Sequence, residues 1–210
     1  MQVTTNKHKP ELRSPAQNPL LVAITGASGS IYSLCFLELM KKLQQQTALI
    51  ISEAGRQVVH HELGDTGIRE LEGLASKCYD VSEIGAEPAS GSVRWKAMVI
   101  LPCTMGTLGA VANGISSNLI HRAADCFLKE KRPLILVPRE TPLNRIHLKN
   151  MLAVHDAGAV IYPAMPSFYH MPGSLRDMAM FFAARIAEFL GFHVQDLKVW
   201  KGGNLHGFHQ

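Results

Sequence analysis

Two short turns in this sequence combine glycine with hydroxyl-bearing side chains directly after an apolar run. Residues 26–30 read GASGS and residues 102–107 read PCTMGT, and a helical pattern follows each of them. Glycine permits a tight turn, and the free N–H groups at the start of a helix bind anions such as phosphate. The two turns therefore predict a site for a phosphorylated ligand. A simple strand-to-helix turn, with Ser28 or Ser30 as the N-cap residue, is the alternative for the first turn.

Charged residues stand at two further places where a phosphorylated ligand could bind. Arg139 and Glu140 follow an apolar run and lie between two prolines, which favours a fixed role over a solubilising one. An exposed salt bridge of little energetic value is the alternative. Arg122 and Lys129 are seven residues apart and share one helix face with Asp125. From this spacing alone, a solvated row of ion pairs is the simpler interpretation.

An arginine and a tyrosine near the C-terminal end extend this set. Arg185 lies four residues after Phe181 and four before Phe189, so it shares a helix face with two aromatic rings. Such an arginine either meets a fixed anion or lays its stem along the rings with its head in solvent. Tyr169 lies in the loop 163–172, which three prolines stiffen. That loop predicts a pocket wall or lid, with a packing role for Tyr169 as the alternative.

An alternation of apolar strands and amphipathic helices must position these residues. Five apolar runs predict strands at residues 20–25, 48–52, 97–101, 134–137 and 159–162. Helical patterns fill the intervals at 30–43, after 52 to about 63, from about 104 to 113, from a cap at Ser116 or Ser117 to 129, at 143–155 and onward from a cap at Ser174. Residues 64–90 show no clear period because glycines interrupt them.

This alternation predicts the fold class. Near-continuous apolar strands separated by helices are typical of a parallel sheet that is covered on both faces. We therefore predict an α/β fold, a Rossmann-like (flavodoxin-like) three-layer sandwich with a mainly parallel sheet. Ligands of such sheets bind at the carboxyl ends of the strands, where the residues singled out above lie.

Composition argues against several function classes. The net charge of +4 is too small and too dispersed to favour nucleic-acid binding. No apolar run approaches the roughly 18 residues of a membrane span, and residues 1–18 lack the apolar core of a secretory signal. Cys35, Cys78, Cys103 and Cys126 have no metal-ligand spacing, so we expect reduced thiols and a cytoplasmic location.

The length bounds the domain organisation. A chain of 210 residues builds one α/β domain with a proper core but not two. We expect a disordered N-terminal tail at residues 1–18, a single ligand-binding domain at 19–192 and a C-terminal extension at 193–210 that packs on a neighbouring subunit.

In seven segments, among them TGASGS (25–30), PCTMGTL (102–108) and NLIHRAADCFLKEKRPLILVPRETP (118–142), the chain resembles the UbiX-type flavin prenyltransferases. They occur in order from about residue 20 to residue 192, and the fourth is too long to match by coincidence. The segments are TGASGS (25–30), ASGS (89–92), PCTMGTL (102–108), NLIHRAADCFLKEKRPLILVPRETP (118–142), IHLKNML (146–152), GAVIYPAMPSFYH (158–170) and ARI (184–186).

The resemblance implies a reaction and its partners. Reduced FMN and dimethylallyl monophosphate combine, phosphate departs, and the prenyl group is joined to N5 and then C6 of the flavin. The prenylated FMN then serves a UbiD-type decarboxylase, and no metal is implied. The resemblance also implies a homo-oligomer, a dodecamer, whose sites lie between subunits. No nucleic-acid or membrane partner is expected.

The resemblance also implies site residues. The FMN contacts fall on Gly26, Ala27, Ser28, Ser52, Thr104, Met105, Gly106, Thr107 and Arg139. The prenyl-phosphate contacts fall on Ser90, Arg122, Lys129, Glu140, Tyr169 and Arg185. Three of these residues have implied catalytic roles: Ser28 near N5, Glu140 moving a proton, and Tyr169 stabilising charge on the leaving phosphate. Trp200 is implied as an aromatic wall.

Two other functions fit parts of the same pattern. An FMN-dependent cysteine decarboxylase, of the phosphopantothenoylcysteine type, is expected to carry PASANT-like and PxMNxxMW-like segments. Residues 102–107 (PCTMGT) and 163–168 (PAMPSF) both lack the asparagine that would hold the substrate carboxylate. A non-catalytic flavin carrier needs the flavin contacts but has no use for the prenyl-phosphate residues. Both alternatives are therefore weaker than the prenyltransferase.

Overall fold

A computed structural model describes residues 18–195, and all of its strands belong to one sheet. The strands are β1 (Leu20–Ile24), β2 (Thr47–Ile51), β3 (Lys77–Tyr79), β4 (Ala97–Cys103), β5 (Leu134–Pro138) and β6 (Val160–Ile161). The helices are α1 (Ser30–Lys42), α2 (Glu53–Leu63), α3 (Gly67–Leu74), α4 (Met105–Ala112), α5 (Leu119–Lys129), α6 (Arg145–Asp156) and α7 (Leu175–Phe189), with a single 3-10 turn at Glu87–Ala89.

The sheet has the strand order β3-β2-β1-β4-β5-β6, and every pairing is parallel. This is the Rossmann-type order, so the predicted fold class is confirmed. Every residue of β1, β2, β4 and β5 is buried, which explains why these strands are continuous apolar runs in the sequence. Because the order reverses between β1 and β4, the helices that follow these two strands lie on opposite faces of the sheet and leave a crevice between their first turns.

Helices cover both faces of the sheet with separate apolar clusters. Side chains alternate along β1, so Val22 contacts the cluster of α1 and α7, and Ala23 contacts the cluster of α4 and α5. Phe36 anchors the first cluster and Phe127 the second, both fully buried. Burying each ring contributes about 1.5–3 kcal/mol to the stability of the folded protein. Both helix layers are therefore firmly attached to the sheet, which fixes the positions of the strand ends.

The structure corrects the sequence prediction in three places. Residues 64–90 contain α3 and the short edge strand β3, where no period was visible. The N-cap residue of α5 is Asn118, whose side chain accepts a hydrogen bond from the His121 N–H, so the prediction of Ser116 or Ser117 is wrong. The predicted fifth strand is shorter, at Val160–Ile161. The cap at Ser174 is confirmed by its hydrogen bond from the Asp177 N–H at 3.0 Å.

Some expectations fall outside the described residues. The predicted tail at 1–18, apart from Asn18, and most of the predicted extension at 193–210, including Trp200, are among them. Within residues 18–195, no helix is both long and apolar enough to cross a membrane.

Candidate functional site

The turns after β1 and β4 are tied together at the crevice by one buried threonine. The Thr25 hydroxyl donates to the Pro102 carbonyl at 2.9 Å and accepts from the Thr104 N–H at 2.8 Å. Both glycine-bearing turns are therefore held against each other at the carboxyl edge of the sheet. This is the place where the sequence predicts a phosphorylated ligand.

The first turn owes its shape to two glycines. A Cβ on Gly26 would lie 2.6 Å from the Cβ of Ala54, so only glycine lets α2 approach this closely. Gly29 has a φ of 120°, which a residue with a side chain rarely adopts. Between them, Ala27 is buried and Ser28 is exposed. The turn therefore presents Ser28 to the crevice.

The N–H groups at the start of α1 are occupied by a carboxylate from another helix. Glu62, at the end of α2, accepts hydrogen bonds from Ser30 N–H at 2.7 Å and from Gly29 N–H at 3.0 and 3.1 Å. The N-cap residue of α1 is Gly29 without a side-chain cap, so the alternative in which Ser28 or Ser30 caps the helix is wrong. Because Glu62 already accepts from these N–H groups, they are not available to a ligand phosphate in this conformation.

Glu62 is held in its charged form. Partial burial raises the pKa of its carboxyl group. Hydrogen bonds from the Ser28 side chain and from the Ser30 and Gly29 N–H groups lower that pKa by a larger amount. The net effect is a pKa below the ordinary value. Glu62 is therefore an anion at neutral pH, in contact with Ser28.

The second turn offers hydroxyl groups at the start of α4. The Thr104 side chain caps the helix by accepting from Thr107 N–H at 3.0 Å, and its hydroxyl lies 3.0 Å from that of Thr107. Met105 is buried and Gly106 is exposed. A Cβ on Gly106 would meet only the Thr104 hydroxyl, at 3.9 Å, so the space beside this helix start is open.

A cavity of about 360 Å³ joins the first turn to the end of β5. Ser28, Glu62 and Arg139 supply its polar groups, and apolar side chains such as Ile31 and Met178 line the remainder. Tyr32 also lines it; burial raises the pKa of this phenol, and the positive charge of Arg139 partly offsets that effect. The cavity combines an apolar wall with a few polar groups, as a site for a planar ring system does.

Two other expected residues lie at the same edge of the sheet. Ser52 directly follows β2 and caps α2, since its hydroxyl accepts from Gly55 N–H at 3.0 Å. Glu140 is exposed after β5 and accepts from Thr141 N–H at 3.0 Å. Within residues 18–195 no ion pair joins Glu140 to Arg139, so the alternative of a simple salt bridge is not realised.

Tyr169 and Arg185 share a second cavity, of about 440 Å³, beside α7. The Tyr169 ring contacts Phe181 edge-on at 5.7 Å between ring centroids, which makes one wall of this cavity aromatic. Arg185 donates to Glu188 at 2.7 Å, and half of its side chain is exposed. Arg185 therefore lines a partly aromatic cavity, and its guanidinium group stays accessible to a ligand.

The remaining cations lie on the opposite face of the sheet. Arg122 pairs with Asp125 at 2.7 Å, and Lys129 pairs with Glu130 at 3.0 Å. The ion pair that the spacing on α5 predicts therefore forms. α5 packs in the second apolar cluster and α7 in the first, so a single chain separates these cations from Arg185.

Comparison with known proteins identifies the family. The flavoprotein family model matches residues 8–185. A flavin prenyltransferase UbiX from Methanothermobacter thermautotrophicus is 45% identical over 89% of this chain and 97% of that protein. The chain belongs to the UbiX family of flavin prenyltransferases. The predicted resemblance is confirmed.

Solved structures of UbiX proteins have the same fold. AnUbiX, crystallised with FMN and dimethylallyl pyrophosphate, superposes with a TM-score of 0.85 at 36% identity and covers 89% of this chain and 98% of its own. A dodecameric FMN-dependent UbiX-like decarboxylase from Escherichia coli O157:H7 gives 0.84 at 34% identity, over 88% of this chain and 100% of its own.

The sequence reasoning missed Glu62 and Tyr32 in this flavin prenyltransferase. Both line the cavity with Ser28 and Arg139. Glu62 lies 33 residues after Gly29, on a different helix, so no local spacing connects it to the turn it occupies. Tyr32, two residues after Ser30, was visible as an aromatic residue at the start of α1.

Proposed function

We propose that this flavin prenyltransferase joins the dimethylallyl group of dimethylallyl monophosphate to N5 and C6 of reduced FMN. Phosphate leaves, and the prenylated FMN passes to a UbiD-type decarboxylase in the cytoplasm. The observation that carries the proposal is the presence of two separate cavities at the carboxyl edge of the sheet. One holds Ser28 and Arg139, and the other holds Tyr169 and Arg185. A flavin carrier would need only the first.

The residues around the first cavity fit FMN. The start of α4 has an open space at Gly106 and the hydroxyl groups of Thr104 and Thr107, which suits a terminal phosphate. The start of α1 does not suit it because Glu62 already accepts from the N–H groups there. We therefore assign the phosphate to α4 and the ring to the cavity beside Ser28 and Arg139, with Gly26, Ala27, Ser52 and Met105 shaping the crevice.

The second cavity and the cations of α5 are assigned to dimethylallyl monophosphate. When bound, reduced FMN supplies the nucleophile for the allyl group. Tyr169 and Arg185, with Ser90, Arg122 and Lys129, donate hydrogen bonds and positive charge to the departing phosphate. The aromatic ring of Phe181 excludes water from the allyl group. These residues lower the barrier by stabilising charge that grows during the reaction.

The two carboxylates near the flavin cavity are assigned different roles, and proton transfer belongs to Glu140 alone. Glu140, exposed at the end of β5, transfers a proton between flavin and phosphate. Ser28 orients the flavin at N5, and Glu62 fixes the orientation of Ser28 through their hydrogen bond. The charged state of Glu62 keeps the Ser28 hydroxyl pointing at that carboxylate as a donor.

The complete site requires more than one subunit. Arg122 and Lys129 lie on the face of the sheet opposite Arg185 and Tyr169, so one phosphate reaches both groups only across a subunit boundary. Exposed apolar side chains support assembly, since Met165, Phe168 and Leu175 are each more than two-thirds exposed in the single chain. We propose a homododecamer, as in the Escherichia coli relative.

The proposal is tested by mixing the purified protein anaerobically with reduced FMN and dimethylallyl monophosphate. The flavin is then weighed by mass spectrometry and the free phosphate is measured. A flavin heavier by one prenyl unit, with one phosphate released for each, is the expected result. Bound but unmodified FMN, with the diphosphate also tried, would contradict the proposal and favour a carrier or a cysteine decarboxylase.

A further inference from the structure

The loop that carries Ser90 packs Val93 and Trp95 against the second apolar cluster, to which α5 belongs, but its two serine hydroxyls bond only to loop atoms among the described residues. It connects the 3-10 turn to β4 and contains the sequence Ser90-Gly91-Ser92. The Ser90 and Ser92 hydroxyls lie 2.8 Å apart, and the Ser92 N–H donates to the Ser90 hydroxyl at 3.3 Å. These hydrogen bonds stay within the loop. The serine hydrogen bonds therefore do not fix the distance from Ser90 to the cations of α5, and the apolar packing acts at residues 93 and 95.

Arg132 connects this loop to the end of α5. Its guanidinium group donates to the Val93 carbonyl at 2.6 Å and to the Gly91 carbonyl through its other terminal nitrogen. The planar guanidinium group of Arg132 therefore binds the carbonyls of residues 91 and 93 at the same time. A lysine ammonium has no comparable fork of donors in fixed geometry.

The backbone of Arg132 is itself anchored. Its N–H donates to the Phe127 carbonyl at 2.8 Å, and Lys131 before it has a φ of 52°, which turns the chain sharply at the end of the helix. Phe127 is fully buried. Arg132, three residues after Lys129, is thus bonded through its backbone to the buried end of α5 and through its side chain to the loop.

A second contact closes the loop on the same helix end. A Cβ on Gly91 would lie against the Glu130 carboxylate, which is the mobile end of a side chain that pairs with Lys129 at 3.0 Å. The loop backbone therefore packs directly against the Lys129–Glu130 ion pair. The two Arg132 hydrogen bonds hold the backbone in this position.

We propose that Arg132 is a positioning residue for the prenyl-phosphate site, which holds Ser90 in register with Lys129 without contacting either substrate. The inference rests on the proposed function, since Ser90 and Lys129 are assigned to the same phosphate there. Arg132 acts through the Gly91 and Val93 carbonyls. Its loss releases the loop and leaves the flavin cavity, which contains neither residue, unchanged.

The first test compares Arg132→Met with Arg132→Lys in the full chain. Losing two hydrogen bonds from a charged donor should raise the KM for dimethylallyl monophosphate about tenfold or more in Arg132→Met. The kcat and the affinity for FMN should stay within about twofold of the wild-type values. Arg132→Lys keeps one donor group near the carbonyls and should give an intermediate KM.

Arg56 supplies the matched control. Its guanidinium group also donates twice, to Glu72 at 3.2 Å, and it is likewise partly buried, but it joins α2 to α3. Arg56→Met should lower the melting temperature without changing the KM for dimethylallyl monophosphate. An unchanged KM in Arg132→Met, or the same KM change in Arg56→Met, would overturn the inference.

Two measurements separate this inference from the proposed function. Calorimetric titration of FMN-loaded protein with dimethylallyl monophosphate should show weaker binding in Arg132→Met than in the wild type. Hydrogen exchange should become faster at the amides of residues 91–93 in that variant. Wild type that binds the monophosphate but forms no product overturns the proposed reaction alone. Unchanged exchange and equal binding in Arg132→Met overturn the positioning role alone.

Discussion

At the scale of single residues, Glu62 and Glu140 are two carboxylates with different surroundings near one cavity. Glu62 accepts backbone N–H groups at the start of α1, and these hold its pKa low. Glu140 is exposed after β5, and its one described hydrogen bond is from the neighbouring Thr141 N–H. The first carboxylate is thus suited to fixing an orientation, and the second is placed where it can exchange a proton.

For Glu62 we predict a pH-dependent contribution to stability. Its pKa in the folded protein lies below the ordinary 4.5, so the stabilisation is present above that pH and is lost as the pH falls through the folded value. At neutral pH, Glu62→Gln should lower the free energy of unfolding by about 0.5–1 kcal/mol. The two proteins should converge in acid, as measured by urea denaturation at several pH values.

A control variant makes the Glu62 prediction specific. Glu83 is an exposed carboxylate outside the cavity, so Glu83→Gln should leave the pH dependence close to that of the wild type. A difference between wild type and Glu62→Gln that persists unchanged below pH 4 would show that the charge of Glu62 does not stabilise the start of α1.

For Glu140 we predict a loss of chemistry without a loss of FMN. Glu140→Gln keeps the shape and the Thr141 hydrogen bond but cannot transfer a proton, which should slow single-turnover prenylation by about 10²-fold or more. Fluorescence titration should give an unchanged dissociation constant for FMN. A variant that prenylates at the wild-type rate would rule out the assigned role.

At the scale of elements, the start of α4 combines a helix cap with the proposed site for the FMN phosphate. Thr104 caps the helix and is assigned to the FMN phosphate. Thr104→Val removes the cap and should cost about 1 kcal/mol of stability, together with a loss of FMN affinity. Thr104→Ser should retain both properties.

The cap of another helix separates these two effects. Asn118 caps α5, away from the flavin cavity, and accepts from His121 N–H at 3.0 Å. Asn118→Ala should cost similar stability, measured by thermal melting, without weakening FMN binding. Equal losses of FMN affinity in the Thr104 and Asn118 variants would show that general destabilisation explains both.

The elements also show which features a sequence can reveal. β1, β2, β4 and β5 were predictable because complete burial makes them continuous apolar runs. β3 was not, because it is a three-residue edge strand with two exposed side chains. The contacts between Glu62 and α1 and between Arg132 and the Ser90 loop join residues 30 or more positions apart, so spacing could not predict them.

At the scale of the whole molecule, the proposed prenyl-phosphate site draws on residues from the two opposite faces of the sheet, on α5 and beside α7. We predict that Lys129→Met and Tyr169→Phe are each strongly impaired alone, because each removes a phosphate contact on one side of the subunit boundary. Mixed oligomers, made by unfolding and refolding the two variants together, should regain activity where wild-type halves meet. Mixtures no more active than the separate variants would place both residues in a site within one chain.

The contact between Glu62 and the start of α1 also bears on the choice among nucleotides. In sheets with this strand order, the first helix commonly receives the pyrophosphate of a dinucleotide on its N–H groups. Here a carboxylate of the protein itself already satisfies those groups and would repel a second anion. The chain thus has a dinucleotide-type strand order, but the N–H groups at the start of its first helix are already occupied. We therefore expect NAD and FAD to be excluded and the proposed mononucleotide to place its single phosphate at the start of α4.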